Sequence, residues 1–407
     1  MNCRHCSALL NERFVDLGSA PPSNAYLTQA TLNMPERWFP LRVLVCTECW
    51  LVQTEDYSDA SDLFTDEYAY FSSYSETWLK HAEKYVSAVT GRFQLGPGSL
   101  VVELAANDGY LLQFVTAKGI PCIGVEPTAS AAARARAKGI QIVQDFFGVN
   151  LARSMVGQST SADLIVANNV LAHVPDINDF VSGIAILLKS TGVVTFEFPH
   201  LLNLTTNNQF DTIYHEHYSY LSLTAVSRIL EKNGLSVFDV EELPTHGGSL
   251  RVYAQHSDGT QAVEGSVESL LHRERSVGLA TGAFYRDFQE RTHRAKNRFL
   301  EFLLDAKHNG RKVAGYGAAA KGNTLLNYAG VRADLMPYVV DRNPSKQGKF
   351  MPGSRIPIVN EDRIRDDRPD YIVVLPWNLR DEVTASLSYV RDWGARFVTA
   401  IPELDVL

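Results

Sequence analysis

The chain has 407 residues, of which 45% are hydrophobic and 21% charged, and its formal net charge is −8 at pH 7. This length exceeds one ordinary core, so we expect two or three domains. No run of about 18 apolar residues offers a membrane span. The acidic balance excludes the basic surface that nucleic-acid binding needs, and the first residues lack a signal-peptide core, so we expect a cytoplasmic protein.

Four of the five cysteines form two C-x-x-C pairs near the N-terminus, Cys3 with Cys6 and Cys46 with Cys49. Two such pairs are typical of a tetrahedral structural zinc site, and a four-thiolate site leaves no open position for chemistry. A redox dithiol is the alternative, but no thioredoxin-like βαβ pattern accompanies the pairs. Cys122 is predicted to be a small buried residue on a strand.

From residue 99 the sequence alternates between β-branched apolar runs and helical segments. Such alternation predicts an open, mostly parallel sheet with helices on its faces. Residues 265–305 are highly charged, with apolar residues at helical spacing, and predict one or two amphipathic helices that bridge two domains. A second, smaller α/β series begins at residue 311.

The first α/β series carries acidic residues at the ends of two strands. Glu103 begins a turn in which Gly109 is the only glycine, whereas a dinucleotide fingerprint requires several. This difference weakens the prediction that the turn binds a pyrophosphate. An acidic residue at the end of a strand, followed by small residues in the turn, is instead typical of a site for a cationic ligand that carries an amino-acid group. Glu126 ends the next strand, where an acid can bind both hydroxyls of a ribose. A generic α/β domain with acidic turn residues is the alternative.

The second α/β series opens with a more complete glycine turn. Gly315, Gly317 and Ala320 fit G-x-G-x-x-A after a strand, and Asp341 closes the next strand. Lys321 adds a positive charge at the start of the helix. Two interpretations stay open: an NAD site, which would make the protein an oxidoreductase, or a phosphate cradle for another pyrophosphate such as a nucleotide-sugar.

The segment YHEHYSYLS, residues 214–222, concentrates acid–base side chains. Its histidines suit metal binding, acid–base chemistry or an exposed strand, but H-E-H lacks the helical spacing of H-E-x-x-H and has no third ligand. In a fully extended strand His215 and His217 would face away from Tyr214 and Glu216. A turn or bulge is therefore needed if this segment is to present its larger constellation to one substrate.

The chain as a whole resembles the nucleotide-sugar C-methyltransferases of deoxysugar biosynthesis. The resemblance covers nearly all residues and is carried by CxxC…CxxC, PPSNAY, ELAANDGYLL, GVEPT, NNVLAHVPD, FEFPH, QFDTIYHEHYSYLS, THGGSLRVY, GYGAAAKG and VVDRNPSKQGKFMPG. It implies an α/β fold with a class I methyltransferase Rossmann-like domain, a small N-terminal zinc-binding domain and a second Rossmann-like C-terminal domain. We place these domains at 76–260, 1–75 and 261–407, the last including the helical linker.

The resemblance also implies an activity. The expected enzyme is an S-adenosylmethionine (SAM)-dependent C-methyltransferase with structural Zn²⁺. Its substrate would be a nucleotide-activated 4-keto-6-deoxysugar, on a dTDP carrier, in antibiotic biosynthesis. Methylation at the carbon next to the ketone, with C3 favoured and C5 as the alternative, would proceed through an enolate with His217 as general base. An NAD-dependent nucleotide-sugar oxidoreductase is the alternative, and we expect a monomer without nucleic-acid or membrane partners.

Site residues follow by position in these motifs. The catalytic candidates are His217, Tyr214, Glu216, Tyr68 and His173. The cofactor-binding candidates are Glu103, Ala105, Asn107, Asp108, Gly109, Glu126, Asp145, Phe146, Asn168 and Asn169. The substrate-binding candidates are Asn24, Tyr26, Arg251, Lys321 and Asp341, and the zinc ligands are Cys3, Cys6, Cys46 and Cys49. Tyr70 is the alternative to Tyr68, a packing role is the alternative for His173, and a strand-end surface position is the alternative for Arg251.

Overall fold

A computed structural model describes residues 1–57 and 71–407, which are arranged around three β-sheets. Tyr68 and its alternative Tyr70 lie outside the described residues. The strands are β1 Glu12–Ala20, β2 Phe39–Val45, β3 Val52–Thr54, β4 Val101–Leu104, β5 Cys122–Val125, β6 Gln141–Val143, β7 Ala162–Asn168, β8 Leu188–Pro199, β9 Ser219–Tyr220, β10 Leu235–Leu243, β11 Ser249–His256, β12 Val313–Tyr316, β13 Val339–Val340, β14 Ile358–Val359, β15 Tyr371–Val374, β16 Arg396–Thr399 and β17 Asp405–Val406.

The α-helices in the described part of the chain pack mainly around the second and third sheets. They are α1 Glu76–Arg92, α2 Leu112–Ala117, α3 Ala129–Ala137, α4 Val149–Gly157, α5 Ile177–Leu187, α6 Leu201–Thr206, α7 Leu223–Lys232, α8 Gly265–Ser276, α9 Gly282–Tyr285, α10 Phe288–His308, α11 Ala320–Ala329, α12 Asp362–Asp367 and α13 Arg380–Ser386. Within these ranges no helix combines the length and apolar character that crossing a bilayer requires.

The first sheet is antiparallel and has the order β1-β2-β3-β9. Its fourth strand, β9, comes from the YHEHYSYLS segment far along the chain, and Tyr220 pairs with Val52. The backbone of Thr54 also donates a hydrogen bond to the carbonyl of Tyr218 at 3.1 Å. The candidate catalytic segment is thus joined directly to the N-terminal sheet.

The central sheet has the order β6-β5-β4-β7-β8-β11-β10, in which only β11 runs antiparallel to its neighbours. Its inner strands are buried along their length, as expected for β-branched runs covered by helices on both faces. This is the class I methyltransferase arrangement, so the predicted fold class is confirmed.

The third sheet has the order β14-β13-β12-β15-β16-β17 and is parallel except for its last strand. It forms the predicted second Rossmann-like unit. The segment before it contains three helices, α8, α9 and α10, where one or two were expected. Gly278 explains the difference, because its positive φ of 80° ends the first helix in a left-handed cap.

The first and third sheets share one apolar core through the long helix α10. Phe14 of β1 stacks on Phe288 at the start of α10, with ring centroids 4.2 Å apart, and Phe299 and Leu303 continue the same cluster. Burial of such aromatic rings is a strong contribution to packing. The N-terminal and C-terminal units are therefore packed together beside the central sheet.

Candidate active site

A cavity of about 570 Å³ opens at the carboxyl ends of the central parallel strands, where open α/β sheets bind ligands. Segments that belong to all three sheets line it. The sequence-predicted residues among its walls are Asn24, Ala105, Asn107, Glu126, Asp145, Phe146, Asn168, Asn169, His173, Tyr214, Glu216, His217 and Lys321. Residues assigned separately to cofactor, catalysis and substrate thus surround one space.

The YHEHYS segment forms a tight turn. The backbone N–H of His217 donates to the carbonyl of Tyr214 at 2.9 Å. The turn brings Tyr214, Glu216 and His217 to the cavity wall. His215 instead faces two carbonyl oxygens of the N-terminal sheet, those of Phe39 and Pro40, each 3.2 Å from its Nε2. The expected departure from an extended strand is confirmed.

The imidazole of His217 is neutral in this position. Its Nδ1 lies 2.9 Å from the carbonyl oxygen of Thr212, which can only accept, so Nδ1 carries the proton and Nε2 keeps the lone pair. Burial lowers the pKa of His217 well below its usual value, and the neighbouring His173 acts in the same direction. The ring of Tyr214 lies over the imidazole at a centroid distance of 4.0 Å.

Glu216 is held at both its side chain and its backbone. Asn24 Nδ2 donates to both carboxylate oxygens at 2.8 Å. His173 Nδ1 donates to the Glu216 carbonyl at 2.7 Å, and burial lowers the pKa of His173 to about 4. His173 is therefore neutral at pH 7, and through this bond it holds the backbone of the turn in the YHEHYS segment.

The cofactor side of the cavity offers polar atoms that fit a nucleoside and an amino-acid group. Glu126 accepts hydrogen bonds from the backbone N–H groups of Asn107 and Thr128, both at 2.9 Å. Asn168 Oδ1 and Asn169 Nδ2 are buried and form no hydrogen bond within residues 1–57 and 71–407. Buried polar atoms normally have hydrogen-bond partners, so these two side-chain atoms are available to bind a polar ligand.

Three of the predicted cofactor residues do not line the cavity. Glu103 is 1% exposed inside the sheet, and burial raises its pKa well above the usual value. Asp108 accepts a hydrogen bond from Ser73 Oγ, behind the turn. A Cβ on Gly109 would lie 3.3 Å from that of Ala135, so this glycine serves the packing of α3.

Arg251 is placed neither at the cavity nor on the surface. Its guanidinium donates to Glu197 at 2.7 Å and to Glu241 at 3.2 Å, and it lies over the ring of Tyr85. The residue is 5% exposed. Because the buried Glu197 carboxylate already pairs with it, Arg251 is engaged within the sheet and does not reach the cavity, where the phosphate contact was predicted.

Tyr26 and Asp341 form hydrogen bonds with the backbone of the glycine turn in the third sheet. Asp341 accepts from the backbone N–H groups of Ala318 and Asn343, both at 2.8 Å, which occupies one lone pair on each carboxylate oxygen. The hydroxyl of Tyr26 donates to the Ala318 carbonyl at 2.6 Å. Neither residue lines the cavity, so both shape the turn from behind.

Lys321 is one of two lysines from the C-terminal unit that line the cavity; the other is Lys346. Its Nζ donates to Asn378 Oδ1 at 2.9 Å and lies 4.6 Å from the Trp377 ring centre. Burial lowers the pKa of Lys321 to about 8, while the Asp211 carboxylate opposes that shift. Lys321 is the second residue of α11, which begins at Ala320. The wall of the cavity therefore combines a positive side chain with the N-terminus of a helix.

The four N-terminal cysteines fit a zinc ion. Their Sγ atoms all lie within 4.8 Å of one another, with Cys3 and Cys49 3.5 Å apart and Cys6 and Cys46 3.4 Å apart. A tetrahedron with Zn–S bonds of about 2.3 Å has edges of roughly 3.8 Å. Gln53 Nε2 also donates to Cys3 Sγ at 3.3 Å, a contact that favours a thiolate ligand.

Sequence reasoning missed several residues of the cavity wall. Trp78, His246, Lys346 and Asn378 all contribute to it. His246 lies within the THGGSLRVY motif, and the adjacent glycines were the signal that a strained loop approaches the site. Trp78, Lys346 and Asn378 reach the cavity only through the packing of separate units, which no local pattern reveals.

Three protein families match successive parts of the chain. They are a zinc binding domain over residues 3–64, a methyltransferase domain over residues 78–240 and the C-methyltransferase C-terminal domain over residues 244–402. The C-methyltransferase NovU of Streptomyces niveus is 34% identical over 393 residues, which is 97% of this chain and 93% of that protein.

Two solved structures are similar to part of the chain. Magnesium protoporphyrin IX methyltransferase from Synechocystis with bound SAM is 16% identical, with a TM-score of 0.38, over 50% of this chain and 100% of that one. A SAM-dependent methyltransferase from Clostridium acetobutylicum is 13% identical, with a TM-score of 0.36, over 44% of this chain and 92% of that one.

Proposed function

The chain belongs to the SAM-dependent C-methyltransferases whose zinc-binding, methyltransferase and C-terminal domains it carries in order, and on this premise we propose that its acceptor is a nucleotide-activated 4-keto-6-deoxysugar. Forming a carbon–carbon bond requires a carbanion equivalent, which the carbon next to a ketone provides once it loses a proton. SAM, when bound, supplies an electrophilic methyl group. The proposed position is C3, with C5 as the alternative, on a dTDP carrier.

The observation that carries the proposal is the neutral His217 at the wall that the cofactor side and the C-terminal side share. Nε2 takes the proton as the C–H bond breaks, the electron pair of that bond forms the C=C bond, and the carbonyl oxygen becomes the enolate oxygen. An imidazole that is unprotonated at pH 7 has the protonation state that a general base needs for this step. Tyr214 packs on the base, and Asn24 and His173 hold Glu216 beside it.

Lys321 supports an anionic substrate. An ammonium at the start of a helix is a suitable partner for a diphosphate. The oxidoreductase alternative lacks such support, because Asp341 already binds two backbone N–H groups and Pro376 Cγ fills the space 2.7 Å from where a Cβ on Gly317 would stand. One chain supplies residues from all three units, so the proposed site is complete within a monomer.

The test is transfer of labelled methyl from SAM to dTDP-4-keto-6-deoxysugars, followed by mass spectrometry and carbon NMR of the product. We expect a new carbon–carbon bond next to the ketone and a loss of about 10² to 10⁴-fold in the His217→Asn variant, as for removal of a general base. Label on oxygen, or no transfer to any ketosugar, would contradict the proposal. SAM binding by the variant, measured calorimetrically, serves as the control for folding.

A further inference from the structure

His246 is an imidazole at the cavity wall that the proton-transfer step above does not use. Within the described residues, 1–57 and 71–407, neither of its ring nitrogens forms a hydrogen bond, and because neither is fully buried, both are accessible from the cavity. Its ring packs against Trp78, which lines the same cavity, at a centroid distance of 5.2 Å. A half-buried imidazole whose nitrogens have no protein partner in the described part of the chain is available to a ligand in the cavity.

The backbone of His246 adopts a strained conformation that its surroundings maintain. Its φ of 54° and ψ of 20° lie in the left-handed region, which is uncommon for a residue with a β-carbon. Gln209 Nε2 donates to the Gly247 carbonyl at 2.8 Å, and Thr245 Oγ1 donates to the buried Glu197 at 3.1 Å. Residues held in this way concentrate at functional sites.

The charge state of His246 suits a hydrogen-bond donor. Burial lowers its pKa to about 4, and the Lys321 ammonium acts in the same direction. At pH 7 the ring is therefore neutral, with one N–H and one lone pair. A neutral imidazole is able to polarise a carbonyl group without transferring its proton. The Lys321 ammonium itself contacts Asn378 Oδ1 and the ring of Trp377.

We propose that His246 is a second catalytic residue, whose imidazole N–H donates a hydrogen bond to the substrate's carbonyl oxygen as the enolate forms. The inference rests on the proposed ketosugar substrate. His217 takes the proton from carbon, the C–H electron pair forms the C=C bond, and the carbonyl π pair moves to oxygen. The His246 N–H stays bonded to nitrogen throughout and stabilises the negative oxygen.

The test is deuterium exchange at the carbon next to the ketone, followed by proton NMR in heavy water without SAM. The key variants are His246→Gly, which keeps the left-handed backbone and removes the donor, and His246→Asn, which tolerates that backbone and keeps an N–H. The matched control is His272→Ala, because His272 is exposed on α8. SAM affinity and the unfolding temperature are measured for each variant.

We expect exchange by His246→Gly to fall about 10² to 10³-fold, as when one oxyanion donor is removed. The KM for the sugar should change little, and both His246→Asn and added imidazole should restore part of the rate. Wild-type exchange rates in His246→Gly would overturn the role of His246 and leave the proposed function intact. A loss that neither Asn nor imidazole relieves would also overturn the donor role. Failure of the wild-type protein to exchange or methylate any ketosugar would instead overturn the proposed function.

Discussion

At the scale of single residues, Lys321 and Asp211 influence each other's charge. Burial lowers the pKa of Lys321 to about 8, and the Asp211 carboxylate raises it. Burial raises the pKa of Asp211 to about 6, while Lys321 and the indole N–H of Trp377, 2.8 Å from Oδ2, lower it. Both groups are therefore charged at pH 7, but Lys321 loses its charge in a pH range where an ordinary lysine keeps it.

This titration predicts a pH-dependent affinity for the substrate. Above about pH 8 Lys321 becomes neutral, so the KM for a nucleotide-sugar should rise, because the ammonium that we propose to bind the diphosphate disappears. In Lys321→Arg the guanidinium stays protonated, so the rise should be absent up to about pH 10. The measurement is KM against pH for both proteins. A KM that is flat in the wild type would show that Lys321 does not bind the phosphates.

Sequence reasoning at this scale found residue types but not always their partners. Arg251 and Asp341 are the kinds of residue that bind phosphate and ribose, and both lie near the correct edge of a sheet. Glu197 pairs with the first, and the N–H of Ala318 binds the second. These partners are distant in sequence, so only the folded chain reveals that the two side chains are already engaged.

At the scale of elements, the first cysteine knuckle touches the wall of the cavity. Arg4, between Cys3 and Cys6, donates to the carbonyl of Pro175 at 2.9 Å, and Pro175 lines the cavity. The same guanidinium pairs with Asp56 at 2.8 Å and lies 5.3 Å from the ring centre of Tyr218. Zinc at the cysteines would therefore stabilise the knuckle on which part of the active site rests.

This contact predicts a structural effect of removing one zinc ligand. Cys49→Ser should lose the metal and lower the unfolding temperature, because the energy of binding structural zinc is energy of folding. Cys122→Ser should keep both, since Cys122 lies on β5 in the central sheet. Metal content by mass spectrometry and thermal unfolding by calorimetry measure these effects. Full zinc content in Cys49→Ser would contradict the four-cysteine site.

The regular elements were more predictable than their connections. Apolar runs such as SLVVELAA and GVVTFEFP identify strands of the central sheet, because burial on both faces selects β-branched residues. The turn in YHEHYS was expected from the direction of its side chains. That β9 would join the N-terminal sheet was not predictable, because a strand of two residues carries no periodicity.

At the scale of the whole molecule, the central and C-terminal units meet beside the turn of the YHEHYS segment. Thr324 Oγ1 of α11 donates to the carbonyl of Ile213 at 2.8 Å, and Trp377 donates to Asp211. These contacts tie the third sheet to the segment that carries His217. The sequence predicted both units but not their joint cavity, because side chains from separate sheets converge only after the units pack.

Gly247 offers a test of this interface. A Cβ there would stand 2.9 Å from Trp377 Cζ3 and 2.7 Å from Gln209 Nε2, at a φ of 89°. Gly234 also has a positive φ, of 78°, but nothing lies within 4 Å of its Cβ position. Both substitutions to alanine carry a backbone penalty of about 1 to 2 kcal/mol, and only Gly247→Ala adds overpacking of about 1 to 3 kcal/mol.

We therefore expect Gly247→Ala to displace Trp377 and lower turnover of the nucleotide-sugar at least tenfold, while Gly234→Ala retains it. SAM affinity should be preserved in both variants, because Glu126, Asn168 and Asn169 lie at the ends of other strands. Steady-state kinetics and calorimetric SAM titration separate the two effects. Equal turnover in both alanine variants would show that the Trp377 contact does not align the two units, whereas selective loss in Gly247→Ala means that catalysis depends on how the C-terminal unit is seated.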